Sequence, residues 1–397
     1  MKNTIWIPLA VVMILIIFAL GSPAIRDAFF SSSPLTVDGC IQPQFHSDYP
    51  RGSEIYITPP PEPQILPVGW QKISTIPNTL FVKEGGLVLV RKQPGYDELW
   101  IMAADASSTN LVAYIYRTDT GKWIPVPTPP NGPLYLDVSN NIWVVVASND
   151  VHYGLNQLFR FDEQANQYLQ VTDKTNELSK GDIGAIVSDS SGLLWFTMRT
   201  DPYHSDLFSF DPVTSEIKQH LAGNFDFYIA IDKNDNIYVI QVKDGQFSIE
   251  NPPPYLLKKY NPSNGNTDTV EIPRAEGEGE YSTTMYIDQK NRLWISDNVW
   301  IDISESKISG QHSIPRSESF IHYVDFMARY VWERPFVMTQ STDGRVWYAS
   351  TMGNAWFKPD TGEWCHFTSY GSYIVEDSNH NLWMMADNSL YELRMRP

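Results

Sequence analysis

The chain has 397 residues and a formal net charge of −17 at pH 7. Nucleic-acid binding needs a basic surface, so this charge balance argues against a nucleic-acid-binding protein. The chain contains 23 Gly and 28 Pro, which is typical of many short strands separated by turns, and 13% aromatic residues, enough to pack neighbouring sheets against one another. The two cysteines, Cys40 and Cys365, form neither a Cys-x-x-Cys motif nor an alternating Cys/His pattern, which argues against a structural zinc site.

The first segment, residues 1–30, is predicted to be a signal-anchor or a signal peptide. Residues 5–20 carry no charge and follow Lys2, a length between that of a signal peptide core and that of a membrane-spanning helix. Small residues at Ala19 and Gly21 would allow cleavage near Gly21, and we favour retention as an anchor. In both cases the lone Lys2 directs the rest of the chain out of the cytoplasm.

Residues 31–67 are predicted to form an extracytoplasmic linker rich in Pro and Ser. The run at residues 59–63 contains four prolines, which favour an extended polyproline conformation and a semi-rigid stalk. Cys40 lies in this linker. In an oxidising compartment it could pair with Cys365 and tie the linker to a late repeat, or the two thiols could remain unpaired.

Residues 68–397 carry a repeat in which an aromatic residue follows a small hydrophobic residue and a turn. Seven such aromatics occur, 36 to 56 residues apart. They are Trp100, Trp143, Trp195, Tyr238, Trp294, Trp347 and Trp383. This period indicates a radially repeated β-sheet, because no single unit of that size can bury its own apolar face.

The third copy of the repeat shows the elements of one unit. Residues 183–187 form a short apolar run, and residues 189–192 form an Asp- and Gly-containing hairpin turn. Residues 194–197, 207–210 and 216–220 then predict the second, third and outer fourth strands. We expect each copy to be a four-stranded antiparallel unit whose large aromatic packs against the next unit.

The seventh copy ends with a third strand at residues 390–393 and has no fourth strand before the chain ends. The segment around Trp70 resembles a fourth strand without three predecessors. Joining the two would close the ring and remove an exposed sheet edge. The predicted fold is therefore an all-β, seven-bladed β-propeller, closed by an N-terminal strand near Trp70 that completes the last blade.

The signature at residues 189–215, Asp-x-x-Gly-x-Leu-Trp-x-x-Thr followed by Leu-x-x-Phe-Asp-Pro-x-Thr, resembles the two-component-regulator-type β-propeller repeats. It is also similar to the repeats of the streptogramin lyase group of seven-bladed propellers. The first resemblance implies an extracytoplasmic ligand-sensing module. The second implies metal-assisted elimination by a His and a Glu-x-His pair, but this sequence contains no Glu-x-His.

Ligands of propellers bind over the central channel, where loops of several blades meet. We expect the loops between second and third strands to share one face with the inter-blade loops. Two of these loops, in adjacent copies, carry a similar set of polar and aromatic residues that we predict to form a ligand pocket. The set comprises Asp150, His152, Tyr153, Arg199, Asp201, Tyr203 and His204.

Two functions of different classes fit these observations. The first is a membrane-tethered extracytoplasmic propeller that recognises a small molecule, a glycan or a protein, contacts the membrane through its N-terminal helix, and does not bind nucleic acid. The second is a secreted or tethered enzyme of the streptogramin-lyase-like or glycan-active kind, acting at the channel mouth. No catalytic residue, metal ligand or cofactor motif is assigned, and we favour recognition over catalysis.

Overall fold

The computed structural model describes residues 69–395 with interruptions. The residues left out within that range are 78, 82–86, 106–110, 131–133, 147–156, 172–173, 175–176, 179–180, 202–203, 242–254, 273–284, 296–298, 304–310, 314–335, 351–352, 362, 368–373 and 387–388. The predicted N-terminal helix and the Pro-rich linker therefore lie outside the described residues. Of the described residues, none belongs to an α-helix, and no helix there is long and apolar enough to cross a membrane.

The described residues form seven antiparallel sheets, here called blades 1–7 in chain order. The strand that precedes blade 1 is β1 (Trp70–Thr75). Blade 1 contains β2 (Thr79–Phe81), β3 (Leu87–Gln93), β4 (Tyr96–Asp105), β5 (Leu111–Arg117) and β6 (Lys122–Val126). Blade 2 contains β7 (Leu134–Leu136), β8 (Ile142–Val146), β9 (Gln157–Asp162) and β10 (Gln167–Val171). Blade 3 contains β11 (Asp182–Ser188), β12 (Leu194–Asp201), β13 (His204–Asp211) and β14 (Glu216–Leu221).

The remaining four blades follow the same order. Blade 4 contains β15 (Phe225–Ile231), β16 (Ile237–Gln241), β17 (Tyr255–Tyr260) and β18 (Thr267–Ile272). Blade 5 contains β19 (Met285–Ile287), β20 (Arg292–Ile295), β21 (Val299–Asp302) and β22 (Gln311–Ser313). Blade 6 contains β23 (Phe336–Gln340), β24 (Val346–Ser350), β25 (Gly353–Phe357) and β26 (Trp364–Phe367). Blade 7 contains β27 (Ile374–Glu376), β28 (Leu382–Ala386) and β29 (Ser389–Leu393).

The ring is closed as the sequence predicts. Strand β1 pairs antiparallel with β29, with Trp70 opposite Leu393 and Lys72 opposite Tyr391, and so becomes the fourth strand of blade 7. A sheet edge left open at β29 would expose unpaired backbone groups, and β1 removes that edge. The all-β, seven-bladed β-propeller is thereby confirmed. Blade 1 differs from the expected pattern, because β2 and β3 both pair with β4 along different parts of its length.

The seven repeat aromatics form the core between blades. Each lies on the second strand of its blade and is at most 4% exposed. Trp195, for example, clusters with Phe225 and Val239 of blade 4, and Trp383 clusters with Leu99 of blade 1. The prediction that each aromatic packs against the next unit is thus confirmed at these junctions. This burial is the main source of stability in a ring of sheets that cannot fold alone.

In blades 2–7, a buried acceptor in the first hairpin turn holds the aromatic in place. In blade 3, the carboxylate of Asp189 accepts hydrogen bonds from the backbone of Ser191 and Leu193 and from Nε1 of Trp195, six residues further on. The equivalent residues are Asp137 in blade 2, Asp232 in blade 4, Asp288 in blade 5, Ser341 in blade 6 and Asp377 in blade 7. In blade 6 the acceptor is therefore a serine, Ser341, whose hydroxyl donates a hydrogen bond to Oδ1 of the nearby Asp343.

The third residue after each acceptor has a positive φ, which explains the turn sequences. Gly192 and Gly344 occupy this position at φ 91° and 84°, and Asn140, Asp235, Asn291 and His380 occupy it at 60–66°. Glycine, asparagine and aspartate adopt this left-handed conformation most readily. The Asp-x-x-Gly and Asp-x-x-Asn patterns are thus requirements of the backbone.

The same turns also link neighbouring blades. The residue after the buried acceptor donates its backbone N–H to a side chain of the next blade. Val138 donates to Oγ of Ser188 at 2.8 Å, and Gln289 donates to Oε1 of Gln340 at 3.0 Å. These bonds add a directional contact to each apolar seam, so adjacent blades keep a fixed register.

Cys365 lies in β26 of blade 6 and is fully buried. It is disulfide-bonded, and no cysteine of the described residues is a free thiol. Cys40, the predicted partner, lies outside the described residues.

Candidate functional site

The predicted pocket belongs to one end of the propeller, here called the mouth face. This is the end at which second strands pass to third strands, as at Asp201 and His204 of blade 3. Because antiparallel strands alternate in direction, the connections from a fourth strand to the next blade lie at the same end. The two kinds of loop therefore share a face, as the sequence analysis expects. Most of these connections lie outside the described residues.

The structure places three of the seven predicted site residues. Arg199 lies within β12, Asp201 is the last residue of that strand, and His204 is the first residue of β13 and pairs with Asp201. The segment predicted as a loop is thus mostly strand, because β12 and β13 extend eight residues each into a long hairpin. Asp150, His152, Tyr153 and Tyr203 lie outside the described residues, so their approach to Arg199 stays a prediction.

Arg199 marks the point at which blade 3 changes from apolar to polar. Phe196, Thr197 and Met198, which precede it, are fully buried, whereas Arg199 is partly exposed. Its cross-strand partner on β13 is Ser205, and its partner on the innermost strand β11 is Asp182. Residues paired across antiparallel strands project from the same face of the sheet. Arg199 and Asp182 therefore lie side by side at the rim of the channel.

Asp182 is a residue that the sequence analysis does not single out. It opens the innermost strand and is partly buried. Burial raises the pKa of its carboxyl group, and the positive charge of Arg199 offsets this in part by lowering the pKa. Among the described residues, the Asp182 carboxylate makes no hydrogen bond and no ion pair, whereas Arg199 has further interactions within the protein. The sequence gives no signal for this carboxylate, because its surroundings depend on the pairing of β11 with β12, which joins residues distant along the chain.

The backbone before Asp182 is held tightly against β12. A Cβ atom added to Gly181 would lie 2.5 Å from the carbonyl oxygen of Arg199 and 2.8 Å from Cγ of Met198. Only glycine allows this close approach of two backbones. This close packing fixes the backbone of Asp182 relative to that of Arg199. A preformed binding site needs its residues held in fixed positions in this way.

The seam between blades 3 and 4 is also polar at the mouth face. The Ser205 hydroxyl donates to the carbonyl of Phe225 in β15. The Asp206 carboxylate accepts hydrogen bonds from the backbone N–H of Gly223 at 2.9 Å and from Nε2 of Gln219 at 2.6 Å. These bonds hold the connection into blade 4 beside the ends of β12 and β13.

The innermost strands of the two blades are irregular near this seam. The register of β11 shifts between Ile183 and Ile186, and that of β15 shifts between Phe225 and Ile229. Such bulges bend a strand and redirect its side chains, and they are over-represented beside binding sites. Tyr228 lies within the second bulge and is 37% exposed, which presents an aromatic ring to solvent on the strand next to β11.

A second polar cluster, outside the predicted pocket, lies deeper in the same seam. Nε2 of His220 is 2.8 Å from Oγ of Ser209, and Nδ1 of His220 is 3.0 Å from the hydroxyl of Tyr260 in blade 4. The imidazole also packs on Trp195, with ring centroids 4.5 Å apart. Burial, aided by the charge of Lys218, lowers the pKa of His220 to about 4, so the ring is neutral at physiological pH. We interpret this cluster as a bridge between blades.

Among the described residues, no group of three or more His, Cys, Asp or Glu side chains is arranged to hold a metal ion. The carboxylates of the hairpin turns are instead used within the protein, as Asp189 and Asp377 show. Arg199 and Asp182 are thus two described side chains at the mouth face that combine opposite charges with partial exposure.

Comparison with solved structures supports the fold. The extracellular domains of two proteins from B. thetaiotaomicron, each described as a hybrid two-component system, are similar to this chain. The first domain is 12% identical to this chain with a TM-score of 0.51, and the match covers 83% of this chain and 42% of that domain. The second is 13% identical with a TM-score of 0.50, and the match covers 81% of this chain and 42% of that domain. A gluconolactonase from Xanthomonas campestris has 10% identity, a TM-score of 0.40 and coverages of 85% and 98%.

No protein-family model matches the chain, and no curated protein matches it by sequence. The chain spans about 42% of the length of each of the two extracellular domains. The repeat resemblance to two-component-regulator propellers is therefore matched by solved structures at the level of the fold. At such low identity the likeness shows the fold alone, because propellers carry unrelated activities.

Proposed function

We propose that the chain is an extracytoplasmic recognition module, tethered to the membrane by its N-terminal helix, that binds its ligand at the mouth face of the propeller. The single observation that carries this proposal is the position of Arg199 beside Asp182. Two opposite charges lie at paired positions of adjacent strands at the rim of the channel, where burial raises the pKa of Asp182 and the charge of Arg199 partly offsets that rise. Opposite charges close enough for one to shift the pKa of the other, at the rim of a channel, are typical of binding sites.

The extracytoplasmic location rests on the apolar segment at residues 5–20 and on the single Lys2 before it. The two similar extracellular domains agree with this location. The acidic charge of the chain would keep an exposed domain soluble and would favour ligands that carry a positive group.

The second candidate function is an enzyme acting at the same place. The observation that favours it is the register of the β12–β13 hairpin, in which Asp201 stands directly opposite His204. Carboxylate and imidazole are the groups most often used in general acid–base catalysis. A hydrolase or lyase could use such a pair beside a bound, negatively charged substrate.

A ligand screen with three variants separates these functions. The full-length chain, purified in detergent, is screened by thermal shift against metal ions, sugars and peptides, since a ligand that binds the native state raises the melting temperature. We expect Arg199→Ala and His204→Ala to abolish the shift, and Arg394→Ala, which removes an exposed cation away from the mouth face, to retain it. If Arg199→Ala shows the same ligand-induced shift in melting temperature as the wild type, the ligand does not bind at this site.

Turnover distinguishes recognition from catalysis. Incubation of the identified ligand with the wild-type protein is followed by mass spectrometry. Recognition predicts an unaltered ligand. A product that forms with the wild type and is absent with His204→Ala would establish the enzyme instead.

A further inference from the structure

The buried disulfide of blade 6 carries information about the linker that precedes the propeller. Cys365 lies on β26, the outer strand of blade 6, where it is fully buried and disulfide-bonded. The sequence contains two cysteines, and the second is Cys40 in the linker. Within a single chain, the sulfur bonded to Cys365 therefore has to come from Cys40.

Cys365 lies at the seam between blades 6 and 7. It belongs to an apolar cluster with Trp347 of its own blade and with Ile374 and Met384 of blade 7. Trp70, the first residue of the closing strand β1, packs against the same cluster and contacts Trp347 edge to face. The disulfide and the start of β1 thus lie at one seam.

We infer that Cys40 and Cys365 form a disulfide that fastens the linker to this seam, so that residues 41–69 make a closed loop beside blades 6 and 7. Both ends of that segment are then fixed at the same apolar cluster. The proline-rich run at residues 59–63 belongs to this loop and not to the stalk that the sequence predicts. The spacer between the membrane and the propeller is reduced to residues 31–39.

The shorter spacer changes where the propeller lies. An extended chain spans at most about 3.3–3.6 Å per residue, so residues 31–69 would reach roughly 130 Å from the membrane, whereas residues 31–39 reach roughly 30 Å. A propeller held this closely at the seam of blades 6 and 7 turns the outer edges of these blades towards the membrane. This orientation rests on the proposed membrane-tethered, extracytoplasmic function.

Formation of the bond needs the oxidising compartment of that proposal. The thiols of Cys40 and Cys365 lose two protons and two electrons as their S–S bond forms. The disulfide of an exported thiol oxidase accepts them, because its own S–S bond breaks and two thiols form. A dithiol reductant runs the same exchange in reverse and frees the linker.

The disulfide gives the ring a covalent closure in addition to the pairing of β1 with β29. When β1 leaves β29, it stays attached at Cys365 through the loop, which raises the effective concentration of β1 at the open edge. A cross-link also lowers the conformational entropy of the unfolded chain. Reduction should therefore loosen the closing strand.

Mass spectrometry of the full-length chain tests the pairing. Free thiols are alkylated when the cells are harvested, and the protein is then denatured and digested with trypsin without reduction. The expected product joins residues 27–51, which contain Cys40, to residues 346–394, which contain Cys365. Cys40→Ser should remove this product, and the control Val37→Ser, three residues earlier in the linker, should retain it.

The closed loop is tested by cutting it. A recognition sequence for a site-specific protease is inserted at residues 59–63, and the full-length protein is placed in lipid vesicles. Cleavage should leave the propeller on the vesicles until dithiothreitol is added, since the disulfide still joins it to the N-terminal segment. With the same insertion in Cys40→Ser, the protease alone should release it.

Thermal unfolding and hydrogen exchange in detergent test the effect on closure. Dithiothreitol should lower the melting temperature of the wild type by about 5–10 °C. It should also accelerate amide exchange in β1 and β29 about tenfold. Cys40→Ser should show the reduced values with and without dithiothreitol. Cys40 is the residue replaced, because a substitution of the buried Cys365 would alter the packing of the seam as well.

Three results would contradict the inference, and they differ in meaning. Alkylated Cys40, or a product that links two copies of the chain, would reject the pairing and leave recognition at the mouth face standing. Release of the wild-type propeller by the protease alone would reject the closed loop. A propeller that is absent from the vesicles before cleavage, with the Cys40–Cys365 product present, would keep the disulfide and overturn the spacer together with the proposed membrane tether.

Discussion

Ser378 and Asp97, 281 residues apart in the chain, are joined by two hydrogen bonds across the junction of blades 7 and 1. The backbone N–H of Ser378 donates to Oδ2 of Asp97 at 2.6 Å, and its hydroxyl donates to Oδ1 at 2.9 Å. Strand β1 closes the ring on its outer side, whereas this pair closes it at the hairpin end of the inner strands. The junction between the first and last repeats is thus held at two separate places.

A double-mutant cycle measures how much the hydrogen bonds between Ser378 and Asp97 contribute to the free energy of unfolding. Asp97→Ala should lower the free energy of unfolding by about 1–3 kcal/mol, because a buried carboxylate and both of its bonds are lost. Ser378→Ala should cost less, since only the hydroxyl bond disappears. The coupling energy from denaturant unfolding should reach about 0.5–1.5 kcal/mol. Strictly additive values would mean that the pair contributes nothing to closure.

The turn carboxylates should be far more important than exposed ones. Asp189→Ala leaves the donors of Ser191, Leu193 and Trp195 without an acceptor in a buried site, and we expect a loss of about 3–5 kcal/mol in unfolding free energy. Asp119→Ala, which removes an exposed ion pair with Arg117, should cost far less, because solvent screens such a pair. Similar losses in the two variants would contradict the role assigned to the turn.

Two tryptophans in contact at the junction of blades 6 and 7 provide a matched test. Trp70 and Trp347 meet edge to face with centroids 6.2 Å apart. Nε1 of Trp347 donates to Oγ of Ser341 at 2.9 Å, whereas Nε1 of Trp70 is buried and has no hydrogen-bond partner in the part of the chain that the structure describes. Trp347→Phe should therefore destabilise the protein by about 1 kcal/mol more than Trp70→Phe. Thermal unfolding of the two variants in one buffer decides the order, and the reverse order would be incompatible with this structure.

Stability should fall in mild acid because of His220. Its pKa is lowered to about 4 in the folded protein, compared with the ordinary 6.5 in the unfolded chain. The unfolded state therefore binds more protons between pH 6.5 and 4, so this contribution is complete above pH 6.5 and is lost as the pH falls through that window. Melting temperatures from pH 7.5 to 4.5 should show a decline that is shallower in His220→Phe. Parallel curves for both proteins would assign the acid sensitivity to other groups.

Gly181 should be needed for both stability and the site. Gly181→Ala places a Cβ atom 2.5 Å from a backbone carbonyl that cannot move without disturbing β12, and a cost of about 1–3 kcal/mol is expected. Ligand binding at Arg199 should weaken as well. Gly192→Ala is the comparison, because it strains a turn with φ 91° but meets no atom within 4 Å and lies at the opposite end of blade 3. It should lose stability of a similar size and keep ligand binding.

The sequence by itself determined the number of blades, their strand order and the closing strand. These follow from local causes: the turn at 189–192 needs Asp and Gly, Trp195 must be buried, and the segment around Trp70 has the pattern of a fourth strand without three predecessors. Blade 1 does not follow the repeat pattern, because it lacks the Asp-containing turn. Nε1 of Trp100 lies 3.4 Å from Oε2 of Glu98 instead.

Only the tertiary structure decided which polar residues share a surface. Arg199 was visible in the sequence as a polar residue after a buried strand, but Asp182 was not, since an aspartate before an apolar run is ordinary. Its significance comes from the register of β11 on β12 and from the close packing at Gly181, which bring the two charges together. Such relationships join residues that are distant along the chain, and local sequence patterns report only the backbone conformations that each segment requires.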